Sequence, residues 1–213
     1  DKKLYKINVE NGKLDKDFNK KGYVSNIFSL TAPFISGNKI YVANVTPPSL
    51  IIFNKNTGKK ISSIDLNPDE KNFTGSSPWM GIALDKKNNI AFISTGNPRP
   101  AMYGITRKGA NKNSNSIIAI DLIKEKILWS FQEVAHDLWD FDIGCPPLLT
   151  EIKFGKKFLE VVVCVTKTGN TLILERNTGK PLFDVNFKNI PSSNIPDQEI
   201  WQQINLIKPK NIS

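Results

Sequence analysis

The stretch from His136 to Asp142, HDLWDFD, concentrates side chains that can exchange protons. It contains the only histidine of the chain, three aspartates and one tryptophan. Imidazole and carboxylate groups are the usual agents of general acid–base chemistry, and an ordinary loop or strand needs no such arrangement. The structural alternative is that an aspartate beside a tryptophan in a β-protein caps a turn.

Three further residues stand in polar segments next to apolar runs. They are Trp79 in GSSPWMG, Asn97 in STGNP and Lys167 in VTKTGN. Taken alone, each has a plain structural interpretation: a core indole, an Asx-type turn before proline, and a solvated turn lysine. A functional interpretation requires a fold that brings these residues together.

Composition predicts a folded protein that does not bind nucleic acid. The 213 residues are 39% apolar, and a chain of this length buries roughly 70% of its unfolded surface. The net charge of +9 comes from lysines scattered over turns, with no basic run that would follow phosphates.

Cys145 and Cys164 are interpreted as small buried apolar residues, or as a single disulfide if their segments lie side by side. The chain lacks an initiator Met, a signal peptide and a long apolar run, and we interpret it as a piece of a longer protein.

Short β-branched and aromatic runs separated by Gly, Asn and Pro predict an all-β protein. Nearly continuous apolar runs predict buried inner strands at 39–45, 89–95 and 158–166. Four similar hairpins lie at 4–14, 50–60, 117–129 and 171–183. In three of them Gly12, Gly58 or Gly179 supplies the residue that tolerates positive φ, whereas IKEK replaces the glycine turn in the hairpin at 117–129.

The hairpins recur at intervals of roughly fifty residues, which is typical of β-propeller blades with four antiparallel strands each. The chain is therefore predicted to contain about four blades over residues 1–213, with Ile190–Ser213 as an irregular connector. Four blades is the low extreme for a closed ring. We expect a partial propeller domain taken from a larger ring.

Three motifs together resemble the quinoprotein dehydrogenases, which are eight-bladed propellers that hold pyrroloquinoline quinone (PQQ) on their axis. The motifs are IAIDLIKEKILW, HDLWDFDIGCPPLL and VTKTGNTLILERNTGKPL. The form of the second motif is similar to the membrane-associated glucose, polyol and quinate dehydrogenase branch. The resemblance implies an oxidoreductase that transfers hydride from a sugar, polyol or cyclic alcohol to PQQ and passes electrons to a quinone-type acceptor. It also implies a periplasmic location, with membrane association through a segment outside this chain.

The resemblance assigns roles to five residues. Asp140 matches the general base, and Lys167 matches the lysine that binds the reactive quinone oxygens. Trp79 matches the platform under PQQ, and His136 is a cofactor contact or, alternatively, a structural histidine. Asn97 matches a ligand of Ca²⁺ (or Mg²⁺), to which Asp140 also contributes.

The chain departs from the family pattern in its metal ligands. The segment ANVTPPSLIIF, where a related branch has a glutamate ligand, has no acidic residue. Asp137 and Asp142 are interpreted as supporting residues, and no CxxCH haem motif is present.

Three overall interpretations remain open at the level of the sequence. The first is a fragment of a PQQ-dependent dehydrogenase, inactive by itself, that associates with itself or with the missing blades. The second is a non-catalytic PQQ-repeat propeller that serves as a protein-binding scaffold. The third is a truncated gene product that has kept the motifs without the activity.

Overall fold

The computed structural model describes residues 2–68, 72–188, 193–201 and 203–206. Within these ranges the backbone forms short antiparallel strands and one 3-10 helix, Phe18–Lys20. No helix in this part of the chain has the length and apolar character needed to cross a membrane.

The first half of the chain forms a two-stranded pair and then a four-stranded sheet, which we call sheet 1. The pair consists of β1 (Lys3–Tyr5) and β2 (Tyr23–Ser25). Sheet 1 is a meander of β3 (Phe34–Ser36), β4 (Lys39–Asn44), β5 (Ser49–Asn54) and β6 (Lys60–Asp65).

Sheet 2 is also four-stranded and antiparallel, and a small pair of strands adjoins it. The small pair is β7 (Thr74–Gly75) with β10 (Pro98–Arg99). Sheet 2 contains β8 (Ile82–Asp85), β9 (Ile90–Ser94), β11 (Ser116–Asp121) and β12 (Lys126–Gln132).

Sheet 3 has three strands, followed by another two-stranded pair. Its strands are β13 (Leu148–Phe154), β14 (Lys157–Val165) and β15 (Thr171–Glu175). The pair is β16 (Val185–Lys188) with β17 (Gln203–Leu206).

Neighbouring sheets pack against each other through continuous apolar cores. One core joins sheets 1 and 2 and the next joins sheets 2 and 3. Successive residues of a strand point to opposite faces, so Ile118 and Ile120 of β11 enter the first core while Ile117 and Ala119 enter the second. A strand buried on both faces explains why its sequence is almost uniformly apolar.

All four hairpin turns have a residue with positive φ at the equivalent position, and three of them share the same backbone hydrogen bond. Gly12, Gly58 and Gly179 have φ of +69°, +68° and +70°. In each of these turns the glycine amide donates to the carbonyl oxygen four residues earlier, at 2.9 Å. Glu125 occupies the position in the turn that lacks glycine and has φ of +53°. The turn geometry therefore survives without glycine, at the cost of a strained backbone.

The all-β prediction is confirmed, and the three predicted inner strands correspond to β4, β9 and β14, although Phe158 and Val165 of β14 are exposed. Two details of the blades differ from the prediction. The hairpin predicted at 4–14 forms its turn and an Ile7–Leu14 bridge but no pair of full strands, and the strand at its start, β1, pairs with β2. Sheet 3 has no fourth strand in the described residues, since β15 continues only into a Leu174–Pro181 bridge and proline cannot donate to a ladder.

The predicted irregular connector at 190–213 is only partly described. Residues 193–201 contain no strand, whereas 203–206 form β17, so this stretch is not wholly irregular. Residues 190–192, 202 and 207–213 lie outside the described residues. In the described part of the chain, no strand of the first pair hydrogen-bonds to a strand of the last pair.

Candidate functional site

A cavity of about 350 Å³ lies where the second strand of each sheet ends. Val45 follows β4, Asn97 follows β9 and Lys167 follows β14, and all three line the cavity. The other lining residues are Leu30, Ser77, Trp79, Gly96, Arg99, Asp140 and Asp142. The repeated architecture therefore brings Trp79, Asn97, Asp140 and Lys167 into one concave site.

Lys167 is the centre of an ionic cluster in this cavity. Its Nζ lies 2.6 Å from Asp142 Oδ2 and 3.2 Å from Asp140 Oδ2, and it donates to the Asp140 carbonyl oxygen at 2.9 Å. Partial burial disfavours the charged amine, but the two carboxylates outweigh that effect and raise the pKa of Lys167. The lysine is therefore a permanent cation at neutral pH, with 39% of its side chain exposed.

Asn97 connects the same two carboxylates from the opposite side. Its Nδ2 donates to Asp140 Oδ1 at 2.6 Å, and its backbone amide donates to Asp142 Oδ1 at 2.7 Å. Both aspartates thus bridge Asn97 and Lys167. Asn97 and Asp142 are almost fully buried, so the ring of contacts is shielded from water on that side.

Trp79 forms a wall of the cavity because position 96 is glycine. A Cβ at Gly96 would lie 2.7 Å from Nε1 of Trp79 and would also collide with the Asp142 carboxylate. Any side chain at position 96 would therefore displace the indole or the aspartate. Half-buried Trp79 offers an aromatic surface beside the charged cluster.

Asp137 holds the loop that carries Asp140. Its Oδ1 accepts the backbone amide of Trp139 at 2.8 Å, and its Oδ2 accepts the amide of Phe141 at 2.7 Å. Asn115 Nδ2 donates to the same Oδ2 at 2.8 Å. The backbone on both sides of Asp140 is therefore fixed by hydrogen bonds. Asp140 itself has φ of +65°, a left-handed conformation that aspartate tolerates better than most residues.

Arg107 also holds this loop, a role that no pattern in the sequence indicates. The side chain is fully buried, and burial lowers its pKa. It donates to the carbonyl oxygens of Pro100 at 2.8 Å and Ala101 at 2.7 Å, to Asn111 Oδ1 at 2.5 Å, and through a short contact to the Asp137 carbonyl oxygen. One guanidinium therefore joins the segment 100–111 to the loop 136–142.

Glu133 holds the turn that carries Lys167. Its Oε1 accepts three hydrogen bonds from the turn that contains the lysine: Thr166 Oγ1 at 2.8 Å, Thr168 Oγ1 at 2.5 Å and Asn170 Nδ2 at 2.8 Å. Its Oε2 is buried without a hydrogen-bond partner. Burial raises the pKa of this carboxyl group, although the three donors oppose the shift.

His136 is not among the residues that line the cavity. It is 1% exposed, and its ring contacts the Gly109 carbonyl oxygen through Nδ1 at 2.7 Å and Gln198 Nε2 through Nε2 at 3.0 Å. Burial lowers its pKa. Of the two interpretations that the sequence left open, this placement favours the structural one, because both ring nitrogens already have partners.

The site can offer a metal ion two oxygen donors that the sequence singled out, Asn97 and Asp140. In the described ranges no group of three or more His, Cys, Asp or Glu side chains could hold a metal ion. Val45, from the segment without acidic residues, lines the cavity. The amide and carboxylate set suits a hard cation, but it is incomplete.

Comparison with known proteins gives a consistent family. Residues 53–204 match the family described as glucose/ethanol/alcohol dehydrogenase, β-propeller domain. The chain is 30% identical to quinoprotein glucose dehydrogenase A from Acinetobacter calcoaceticus, over 91% of the chain and 28% of the relative. It is also 30% identical to a quinoprotein glucose dehydrogenase from Escherichia coli, over 90% of the chain and 28% of that relative.

A solved structure shares the fold. A quinohemoprotein alcohol dehydrogenase from Pseudomonas putida HK5 aligns with a TM-score of 0.68 at 19% identity, over 86% of this chain and 32% of that one. The chain thus spans less than a third of the length of these relatives. Because the family match covers more than half of the chain, the chain belongs to the β-propeller family of PQQ-dependent glucose, ethanol and alcohol dehydrogenases.

Proposed function

We propose that this chain is part of a PQQ-dependent dehydrogenase that oxidises a sugar, polyol or cyclic alcohol. The observation that carries the proposal is the contact between Asp140 and Lys167. These residues are 27 positions apart in the sequence, yet a base and a cation meet at 3.2 Å beside an aromatic wall. The relatives are named as quinoprotein glucose and quinate/shikimate dehydrogenases. A binding scaffold would have no need for this combination in one cavity.

Asp140 is the general base in this proposal. Its carboxylate is half-exposed and faces the cavity, so it can accept the proton of a substrate hydroxyl. Asn97 and Lys167 hold one oxygen each and fix the direction of the carboxylate. A carboxylate held in this direction lowers the entropy cost of aligning the base with the substrate hydroxyl.

Lys167 and Trp79 supply the binding surface for the cofactor. PQQ, when bound, provides the quinone carbonyl that accepts the hydride. Lys167 donates hydrogen bonds to oxygen and remains charged, which stabilises negative charge that develops there. Trp79 offers a flat aromatic face against which a planar ring can stack. The indole suits a flat ring, and Lys167 and Arg99 can each receive an acidic group, while Asp140 and Asp142 balance their charges in the same cavity.

Asn97 and Asp140 would hold a Ca²⁺ (or Mg²⁺) ion through side-chain oxygens. When bound, such an ion adds positive charge next to the cofactor. Asn97 now presents its Nδ2 to Asp140, so metal binding would require the amide to turn its oxygen toward the ion. Further ligands would come from backbone, water, cofactor or other blades.

The rest of the proposal concerns the complete protein. We place it in the periplasm, associated with the membrane through a segment outside this chain, with a quinone-type molecule as electron acceptor. Sheets that bury faces on both sides need neighbours, so the isolated chain is expected to be inactive and to associate with itself or with the remaining blades. Residues 1–213 would then form a partial propeller domain.

The test is PQQ binding and alcohol-dependent dye reduction by the complete protein that contains this chain. Asp140→Asn should retain PQQ binding but lose activity by about 10²–10⁴-fold, because an amide cannot accept the proton. Trp79→Ala should weaken PQQ binding, followed by quenching of tryptophan fluorescence. Trp139→Ala is the matched control, since Trp139 is exposed and does not line the cavity.

Two results would contradict the proposal. The first is turnover of Asp140→Asn within a factor of about two of the parent. The second is equal loss of PQQ binding in the Trp79 and Trp139 variants, which would indicate that the indole of Trp79 has no special contact.

A further inference from the structure

The two cysteines lie next to each other, in the segments that carry Asp142 and Lys167. Cys145 is half-buried in the segment that leads from the site loop into β13, and Cys164 is 1% exposed in β14. The backbone amide of Val165 donates to Cys145 Sγ at 3.2 Å. Because that amide nitrogen is bonded to Cys164, the Cα of Cys164 lies within about 6 Å of the Cys145 sulfur. A disulfide requires the two Cα atoms to lie about 4.4–6.8 Å apart, and a Cys145 sulfur this close to the backbone of Cys164 places the two residues side by side.

The surroundings keep both side chains in place. Cys164 belongs to the core shared by sheets 2 and 3, and Cys145 packs against the same core. Ser94 Oγ donates to the Cys145 carbonyl oxygen at 2.6 Å and fixes its backbone. Burial raises the pKa of the Cys164 thiol, and the neighbouring Cys145 thiol raises it further. The two thiols are therefore neighbours in one core.

We propose that Cys145 and Cys164 form an intramolecular disulfide when the protein meets a disulfide oxidant. Cys145 is the more exposed sulfur and reacts first. Its thiolate attacks a sulfur of oxidised glutathione, which forms a mixed disulfide and releases one glutathione thiol. Cys164 then attacks the Cys145 sulfur and releases the second glutathione thiol. Two protein thiols lose two electrons, one glutathione disulfide gains them, and the two thiol protons end on glutathione.

The bond would join the two backbone segments that create the ionic cluster. Cys145 lies three residues after Asp142, and Cys164 lies three residues before Lys167. The Asp142–Lys167 contact at 2.6 Å therefore sits directly beside the proposed cross-link. A covalent link restricts the unfolded chain and holds these segments together even when the ion pair opens. The inference depends only on this geometry and stands apart from the proposed enzymatic activity.

The experiment uses the complete protein that contains this chain, incubated with a mixture of oxidised and reduced glutathione, quenched with acid and alkylated. We expect an intact mass lighter by two hydrogen atoms, no alkyl group on either cysteine, and a cross-linked peptide that contains both. Prior reduction should restore two alkylation sites. The oxidised parent should unfold at a higher urea concentration than the reduced parent.

The variants Cys145→Ser and Cys164→Ser serve as matched controls, and neither should show a redox-dependent urea midpoint. Three outcomes would overturn the inference. One is alkylation of both cysteines after oxidation, the second is a stable glutathione adduct on Cys145 without the cross-link, and the third is a disulfide between two chains instead of within one.

Discussion

Replacing Arg107 by lysine tests how the site loop is held. The guanidinium is fully buried and donates to four acceptors in two segments of the chain. Lysine keeps the positive charge but concentrates its donors on one nitrogen, so it cannot reach all four acceptors. We therefore expect Arg107→Lys to leave two or more buried carbonyl or amide oxygens without a donor.

The expected loss of stability follows from the number of orphaned acceptors. Each buried polar group left without a partner costs about 1–3 kcal/mol. Two such groups together cost about 2–6 kcal/mol. We expect a loss of about 2–6 kcal/mol in the free energy of unfolding, which is a large share of the stability of an ordinary domain.

The measurement is urea unfolding of the complete protein that contains this chain, followed by tryptophan fluorescence. Arg99→Lys is the matched control, because it is the same chemical change at an exposed position, and it should alter stability by no more than about 0.5 kcal/mol. If the urea midpoints of the two variants coincide, the buried arginine does not hold the loop and the reasoning is wrong.

Three further predictions concern glycine packing and pH. Gly96→Ala should destabilise the chain by about 1–3 kcal/mol and shift the fluorescence emission of Trp79, because the new Cβ has no room. Gly144→Ala is the control and should change stability little, because its Cβ would meet no atom closer than 3.9 Å. The pKa of Glu133 is higher in the folded protein than its unfolded value of about 4.5, so its contribution to stability is present below that unfolded value and is lost as pH rises through the folded-state pKa. The urea midpoint of Glu133→Gln should not show this fall. If the parent and the variant have parallel pH profiles, the prediction is wrong. His136 has a lowered pKa, so stability that is present above about pH 6.5 should be lost as pH falls toward the folded-state pKa. The same pH series on His136→Asn should show a smaller acid loss than the parent.

The β-sheet architecture could be predicted because it depends on local patterns. Runs such as 89–95 are apolar on both faces, and turns such as the one at Gly58 need positive φ, so each element is visible in a short window. Residues that end equivalent strands meet at one end of neighbouring sheets. Asn97 and Lys167 therefore share a cavity although they are far apart in the sequence.

The supports of the site were not predictable because they lie in irregular segments. Arg107 stands in TRKG, a polar stretch typical of an exposed turn, yet the loop around it closes over the guanidinium. Glu133 follows β12 and shows no periodic signal that would place it under the turn of Lys167. The direction of His136 depends on its φ of +48°, which no spacing in the sequence reveals.

Glu125 affects which of the similar sheets pack against each other. Its φ of +53° costs on the order of 1–3 kcal/mol in strain. Its ion pair with Lys39 of sheet 1, at 3.0 Å, returns no more than about 1 kcal/mol. The ion pair therefore does not offset the strain in full, and it gives this turn a charged contact with sheet 1, whereas Gly179 lies against the ring of Trp129 in sheet 2 and Gly58 against the ring of Phe18. We expect this contact to favour the packing of sheet 1 against sheet 2 during folding, in a chain whose similar hairpins could otherwise pack against the wrong sheet.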